Sequence, residues 1–253
     1  MDHIYRGIWA NELRNGQVLP IGGGLGDELH IKLELDFDSF DEELDNFHNP
    51  EKLSEAYKEK REAIKAYLSQ IGSNVDPYLF AVTDTVQKKV RKVFALDSID
   101  SINSNERDLK FSCAGNVLKL SDLVGFAMCA EQAAMGQYLL QGCLEEGFSS
   151  SYMGGVYTRS IRDGLSPHSF IVVSDPDNKT FIFDIARPHG GSGLPRILSP
   201  DLPFSYDLFS KTDDLIVGAT EVFHNKRLHY GVGHNLNLRP HVVDLSKNLD
   251  DVA

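Results

Sequence analysis

Three residues have the types and the chain order that thiol-based acyl transfer requires: Cys129, His168 and Asp184. A free thiol has a pKa of roughly 8.5, so little of it is thiolate at neutral pH. An imidazole beside it takes the proton and gives a thiolate–imidazolium pair. A carboxylate on the other ring nitrogen orients the imidazole and stabilises its charge. The thiolate then attacks an acyl carbon and the imidazolium protonates the leaving amine. Water or another amine resolves the thioester. That chemistry needs no cofactor, and none is expected.

Each of the three has a plainer reading. Taken alone, Cys129 reads first as a small core residue, as free cysteines often are. His168 reads as an ordinary surface or core histidine, and Asp184 as a strand-end cap or the partner of Arg187. The other two cysteines are Cys113 and Cys143. Cys143 lies inside an apolar stretch and reads as core, while Cys113 has no obvious partner and reads as structural. Three widely spaced cysteines make no disulfide framework and point to a reducing compartment. Without a C-x-x-C pair a cysteine zinc site is not expected.

The elements that must position these groups follow from pattern. Leu123–Glu146 is the most apolar segment, rich in Ala, Met and Leu and nearly free of β-branched residues, which predicts a largely buried helix. Gly125 interrupts the run just before Cys129, so the helix is expected to begin near Cys129, and Gly147 to end it. The free amides and dipole of a helix N-terminus stabilise a thiolate. The Cys129 backbone amide is the expected oxyanion donor. Ser169–Val173 and Thr180–Ile185 read as strands around the turn Ser174–Lys179, a β-hairpin apolar on both faces. If the loop holds an odd number of residues centred on Pro176, His168 lies opposite Asp184. An even loop would put the two side chains on opposite faces.

Elsewhere, Leu29–Phe37 alternates as a half-buried strand and the acidic run Asp36–Asp45 reads as a solvated helix start. Residues 50–70 and Pro77–Phe94 read as helices. Ser98–Asp108 is polar and reads as a surface loop or a boundary. The glycine run Gly22–Gly26 lacks the Lys-Ser/Thr of a phosphate loop and reads as a turn. Pro188–Gly193 reads as a mobile loop beside Asp184. His224, His229 and His234 are spaced by five, which suits no helical metal pair, and no metal site is assigned.

The net charge of −12 argues against nucleic acid, because phosphate binding needs clustered Lys and Arg. The best basic cluster, Lys88-Lys89 with Arg91-Lys92, reads as a solvated helix face. No run approaches the ~18 apolar residues of a membrane helix. The start of the chain lacks the secretory-signal pattern. The expected location is cytoplasmic, and an effector exported by a non-classical route would carry the same features.

Gly125 to Pro188, about a quarter of the chain, resembles the transglutaminase-like superfamily, a branch of the papain-like cysteine fold. Cys129-Ala130-Glu131-Gln132-Ala133 looks like the family's Cys-x-Glu/Asp-x-Ala helix opening. Gly147 with Tyr152-Met153-Gly154-Gly155-Val156 is similar to the helix exit and next strand. His168-Ser169-Phe170 is similar to its His-Ala-Trp, and Phe183-Asp184 to its strand-end Asp. The intervals, 39 residues from Cys129 to His168 and 16 more to Asp184, match compact microbial members. The resemblance implies a Cys-His-Asp triad acting on a protein or peptide substrate, as in transglutaminases, peptidases, amidases and glutamine-deamidating toxins. Arylamine N-acetyltransferases share the layout, but their cysteine follows an Arg-Gly-Gly signature and lies nearer the N-terminus. A papain-like binding module that has lost activity is the other alternative.

The expected fold is α+β, papain-like or transglutaminase-like, with a central buried helix packed on an antiparallel sheet. Residues 1–253 are expected to form one catalytic domain. Residues 1–100 are its N-terminal cap or extension, 101–245 the triad-bearing core and 246–253 a loose tail. The expected activity is hydrolysis of a peptide amide or deamidation of a glutamine side chain through a thioester. The oligomeric state is left open.

Overall fold

A computed structural model describes residues 3–21, 31–44, 47, 50–70, 72–96, 104–115, 117–158, 166–186, 195, 197–198, 211–212, 215–216, 218–223, 226–231 and 238–245. The first half contains strands β1 (His3–Ala10), β2 (Val18–Ile21) and β3 (Ile31–Glu34), then helices α1 (Asp41–Leu44), α2 (Pro50–Gln70), α3 (Pro77–Val93) and α4 (Ser104–Cys113). Strand β4 (Val117–Lys119) and helix α5 (Cys129–Cys143) follow, then β5 (Ser149–Thr158), β6 (Ser166–Ser174), β7 (Thr180–Phe183) and β8 (Ile197–Leu198). The last strands are β9 (Lys211–Thr212), β10 (Leu215–Ile216), β11 (Gly218–Phe223), β12 (Lys226–Gly231) and β13 (Leu238–Asp244). The architecture is α+β.

The main sheet runs β11-β12-β5-β6-β7-β8, antiparallel throughout that path. Strand β1 adds to β5 antiparallel through Ile8–Ala10 and carries β13 parallel along its other edge. A small sheet of β2, β3 and β4 and a β9–β10 pair stand apart from it.

Helix α5 packs on β5 and β6 of the main sheet and against α3. Gly136 lies where these elements meet. A Cβ there would lie 2.7 Å from Ile185 Cδ1, 2.9 Å from Ile171 Cδ1 and 3.8 Å from Val86 Cγ1 of α3. Only glycine fits without displacing the isoleucines. Gly136→Val is therefore expected to cost about 1–3 kcal/mol through overpacking, read as a lower thermal midpoint. An unchanged midpoint would show that the helix does not lie this close to the sheet.

Described segments of the N-terminal hundred residues hold the same helix at Asn11, Leu13 and Tyr78. Gln141 on α5 accepts from Leu13 N–H (2.9 Å) and donates to Leu13 O (2.6 Å), so one side-chain amide stands in for a strand partner. Gln137 donates to Asn11 O at 2.7 Å. Tyr78 at the start of α3 donates to Cys143 O and accepts from Glu145 N–H, closing the far end of α5. Helix α3 itself begins at Pro77, with the Asp76 carboxylate accepting from Tyr78 and Leu79 N–H, and buries Leu79, Val82, Val86 and Val90 at helical spacing.

Two expectations need correction. Residues 104–108, read as polar loop or boundary, form the first half of α4. Its buried residues include Arg107 and Phe111, four apart, so a cation occupies the inward face and hides the amphipathic pattern. Helix α5 ends at Cys143, four residues before the glycine expected to stop it. The glycine run 22–26, the loop 188–193 and the tail 246–253 lie outside the described residues, as do His224 and His234. His229 stands in β12 opposite Thr220 and Thr158.

Candidate functional site

The approach to Cys129 is a tightly turned segment. A 3-10 turn at Ser121–Leu123 leads to Gly125, which has φ +83° and donates its N–H to Phe94 O at 2.9 Å. That left-handed conformation explains the glycine. Met128 is extended, and the helix starts at the next residue, Cys129, as the interruption at Gly125 predicts. Two side chains of the first turn reach back to hold this junction. Glu131 Oε2 accepts from Met128 N–H at 2.7 Å, and Gln132 Nε2 donates to Ala127 O at 2.9 Å. The Cys129 thiol thus sits where helix amides lack intrahelical acceptors and the dipole is positive. Cys129 is half-buried; Cys143 is buried and Cys113 is exposed. Burial pushes the Cys143 thiol up to about 12, which makes it inert at neutral pH. Cys113, read from sequence as structural, ends α4 at the surface.

His168 stands in β6 opposite Gly155 of β5, which has no side chain to crowd the ring. Asp184 follows the last residue of β7. The β6–β7 ladder pairs Ile171 with Phe183 and Ser174 with Thr180, leaving a five-residue connection, Asp175–Lys179. The odd parity that puts His168 and Asp184 on one face holds. Its centre is Asp177 rather than Pro176, so the ladder extends Asp184 toward Phe170 and the histidine is its diagonal neighbour. The turn sets this register. Asp175 Oδ1 accepts from Asp177 N–H and Lys179 N–H, and Asn178 takes φ +60°, a conformation asparagine tolerates.

The diagonal offset still closes the contact. His168 Nε2 and Asp184 Oδ2 are 2.9 Å apart, with His168 4% and Asp184 0% exposed. The Cys129 side chain acts on the same ring, as a hydrogen-bonding group and through its charge, and both effects favour the protonated imidazole. With Nε2 held by the carboxylate, Nδ1 is the atom left for the thiol. Burial is the largest influence on the imidazole and opposes its charge. The Asp184 charge, its hydrogen bond and Cys129 together outweigh burial and push the group up to about 10. The structure therefore brings together all three residues singled out in the sequence, with the histidine in the middle.

Other residues that shape this place gave weaker sequence signals. Tyr152 Oη and Ser169 Oγ are 2.9 Å apart in the interior, on β5 and β6 beside the histidine. Burial pushes the phenol up, and the charges of Cys129 and Glu131 act in the same direction. Arg107 of α4 forms an ion pair with Glu131 Oε1 through Nη2. A carboxylate in the most apolar stretch of the chain demands a buried cation, and that demand was the available signal for Arg107. Among the described residues no group of three or more His, Cys, Asp or Glu side chains is arranged to hold a metal ion, and no helix is long and apolar enough to cross a membrane.

No protein-family model matches the chain. No solved structure matches it either. Over 91 residues, 33% of this chain, it is 29% identical to serum paraoxonase/lactonase 3 of Rattus norvegicus. The matched stretch is 26% of the rat protein, so the chain spans about a quarter of the length of that relative.

Proposed function

We propose that this protein is a cysteine-dependent acyl-transfer enzyme with Cys129 as nucleophile, His168 as general base and acid, and Asp184 as the orienting carboxylate. The observation that carries the reading is the position of His168. Its ring lies 2.9 Å from Asp184 Oδ2, and Cys129, at the N-terminus of a buried helix, acts on the same ring. The resemblance to the transglutaminase-like branch of the papain-like fold supports the same reading, as does a helix packed on an antiparallel sheet. The substrate class that fits is an amide of a protein or peptide, either a backbone bond or a glutamine side chain.

The Cys129 proton passes to His168 Nδ1. The sulfur bonds to the acyl carbon, and the Cys129 N–H donates to the developing oxyanion. The C–N bond breaks as the imidazolium returns its proton to the amine or ammonia. Water then gives a proton to His168 and a hydroxyl to the thioester carbon, which releases the acid and the thiol. Asp184 keeps the ring oriented through both halves.

Intact-mass spectrometry tests this on a panel of peptide amides and glutamine peptides. One lactone belongs in the panel, because the rat relative is named a lactonase and a thiolate opens an ester by the same acyl step. The expected result is a covalent acyl adduct on Cys129 that hydroxylamine removes, with product accumulating in proportion to enzyme. No adduct and no product across the panel, with the thiol unreactive as well, would support a papain-like binding module instead.

A further inference from the structure

Among the described residues two ion pairs are buried on both sides: His168–Asp184 and Arg107–Glu131. The second takes no part in the reaction described above. Desolvating two charges costs more than burying an apolar pair of the same size, so a reason for keeping them is needed. Their position supplies one. Glu131 is fully buried, two residues after Cys129, and its Oε2 fixes the N–H of the residue just before Cys129. A bare carboxylate there opposes a thiolate on the same turn. Arg107 answers that charge from α4, with its guanidinium 4.9 Å from the centre of the Phe111 ring. Helix α4 grips the approach to Cys129 a second time. Lys110 Nζ donates to Asp122 O and lies 4.5 Å from the Phe126 ring centre.

We propose that Arg107 and Glu131 are positioning residues that act as a charge-balanced clamp on the nucleophile. Glu131 fixes the backbone at the start of α5, and Arg107 cancels its charge so that the thiolate can form. This rests on the reading of Cys129 as nucleophile. Among the described residues, the charged and titratable groups on the elements that frame Cys129 include His168 on β6, Asp184 after β7, Tyr152 on β5, Glu131 on α5, and Arg107 and Lys110 on α4. Of these, Arg107 and Glu131 form the buried ion pair outside the triad, whereas Lys110 lies at the surface against Phe126.

The test is the pH dependence of iodoacetamide labelling at Cys129, read by peptide mass spectrometry in a Cys113→Ser background. Arg107→Met leaves a net negative charge and is expected to raise the labelling midpoint by about one pH unit, roughly tenfold slower labelling below it. Glu131→Gln leaves a net positive charge and is expected to lower the midpoint. Arg107→Lys and the double variant Arg107→Met/Glu131→Gln keep the balance, and both are expected to stay within about 0.3 units of the parent. A purely structural pair would shift both single variants in the same direction and leave the double variant shifted too. That outcome overturns the proposal even when the parent labels fast. A parent Cys129 that labels like a free thiol sinks the nucleophile reading instead. Should the single charge-removing variants fail to fold, the two balanced variants decide, since a shifted midpoint in either contradicts charge balance.

Discussion

Cys129→Ala is expected to abolish turnover, by at least about 10^3-fold, while leaving the fold intact. Neither Ser169 nor the other two cysteines is placed to take over the attack. Ser169, the hydroxyl next to His168 in the chain, is committed to the Tyr152 phenol at 2.9 Å. Cys143 is buried with its thiol pushed up to about 12, and Cys113 lies at the surface end of α4. The stability cost of removing one half-buried sulfur is small, within about 1 kcal/mol. Cys143→Ala has the reverse profile. It removes a core atom beside the Tyr78 cap of α5 and is expected to lower the thermal midpoint while sparing turnover. Assaying and melting both variants separates chemistry from packing. Equal turnover in Cys129→Ala and the parent would contradict a thioester route.

Asp184→Ala is expected to cost about 3–5 kcal/mol, because it leaves a buried imidazole without its carboxylate. The pH dependence has a definite sign. The folded imidazole is raised from its ordinary value near 6.5 to about 10. A raised group stabilises the fold fully below the unfolded value, and that contribution is lost as pH rises through the folded value. The parent is therefore expected to lose stability progressively between about pH 6.5 and pH 10, whereas Asp184→Ala loses much less over the same range. Urea midpoints at pH 6 and pH 9.5 for both proteins check this. A parent whose stability rises across that window would contradict an ionised His168–Asp184 pair.

The parts of the site that local pattern controls were legible in the sequence. The start of α5 at Cys129 follows from Gly125 and the apolar run after it. The common face of His168 and Asp184 follows from the odd five-residue turn, though Asp175 and the left-handed Asn178 shift its centre by one residue. Long-range partners were not legible. Helix α4 buries a cation, and the partner of that cation is 24 residues away on another helix, so periodicity reads the segment as a loop. The strand β1 reaches the sheet from the far end of the chain. Its pairing with β5 and β13 depends on contacts more than 140 residues apart, which no local window carries. The role of Gly136 is likewise visible only when Ile171, Ile185 and Val86 are seen to converge on it.

The most direct measurement is iodoacetamide labelling of the native protein near pH 6, followed by peptide mass spectrometry at Cys113, Cys129 and Cys143. A free thiol reacts slowly at that pH; Cys113 at the surface serves as the internal comparison, and Cys143 is shielded by burial. A thiolate held by the imidazolium of His168 and the N-terminus of α5 reacts at once. The expected result is fast labelling of Cys129 alone, slowed strongly by His168→Ala. Labelling of Cys129 no faster than Cys113, with the same rate in His168→Ala, would contradict the central claim that these residues form an activated nucleophile.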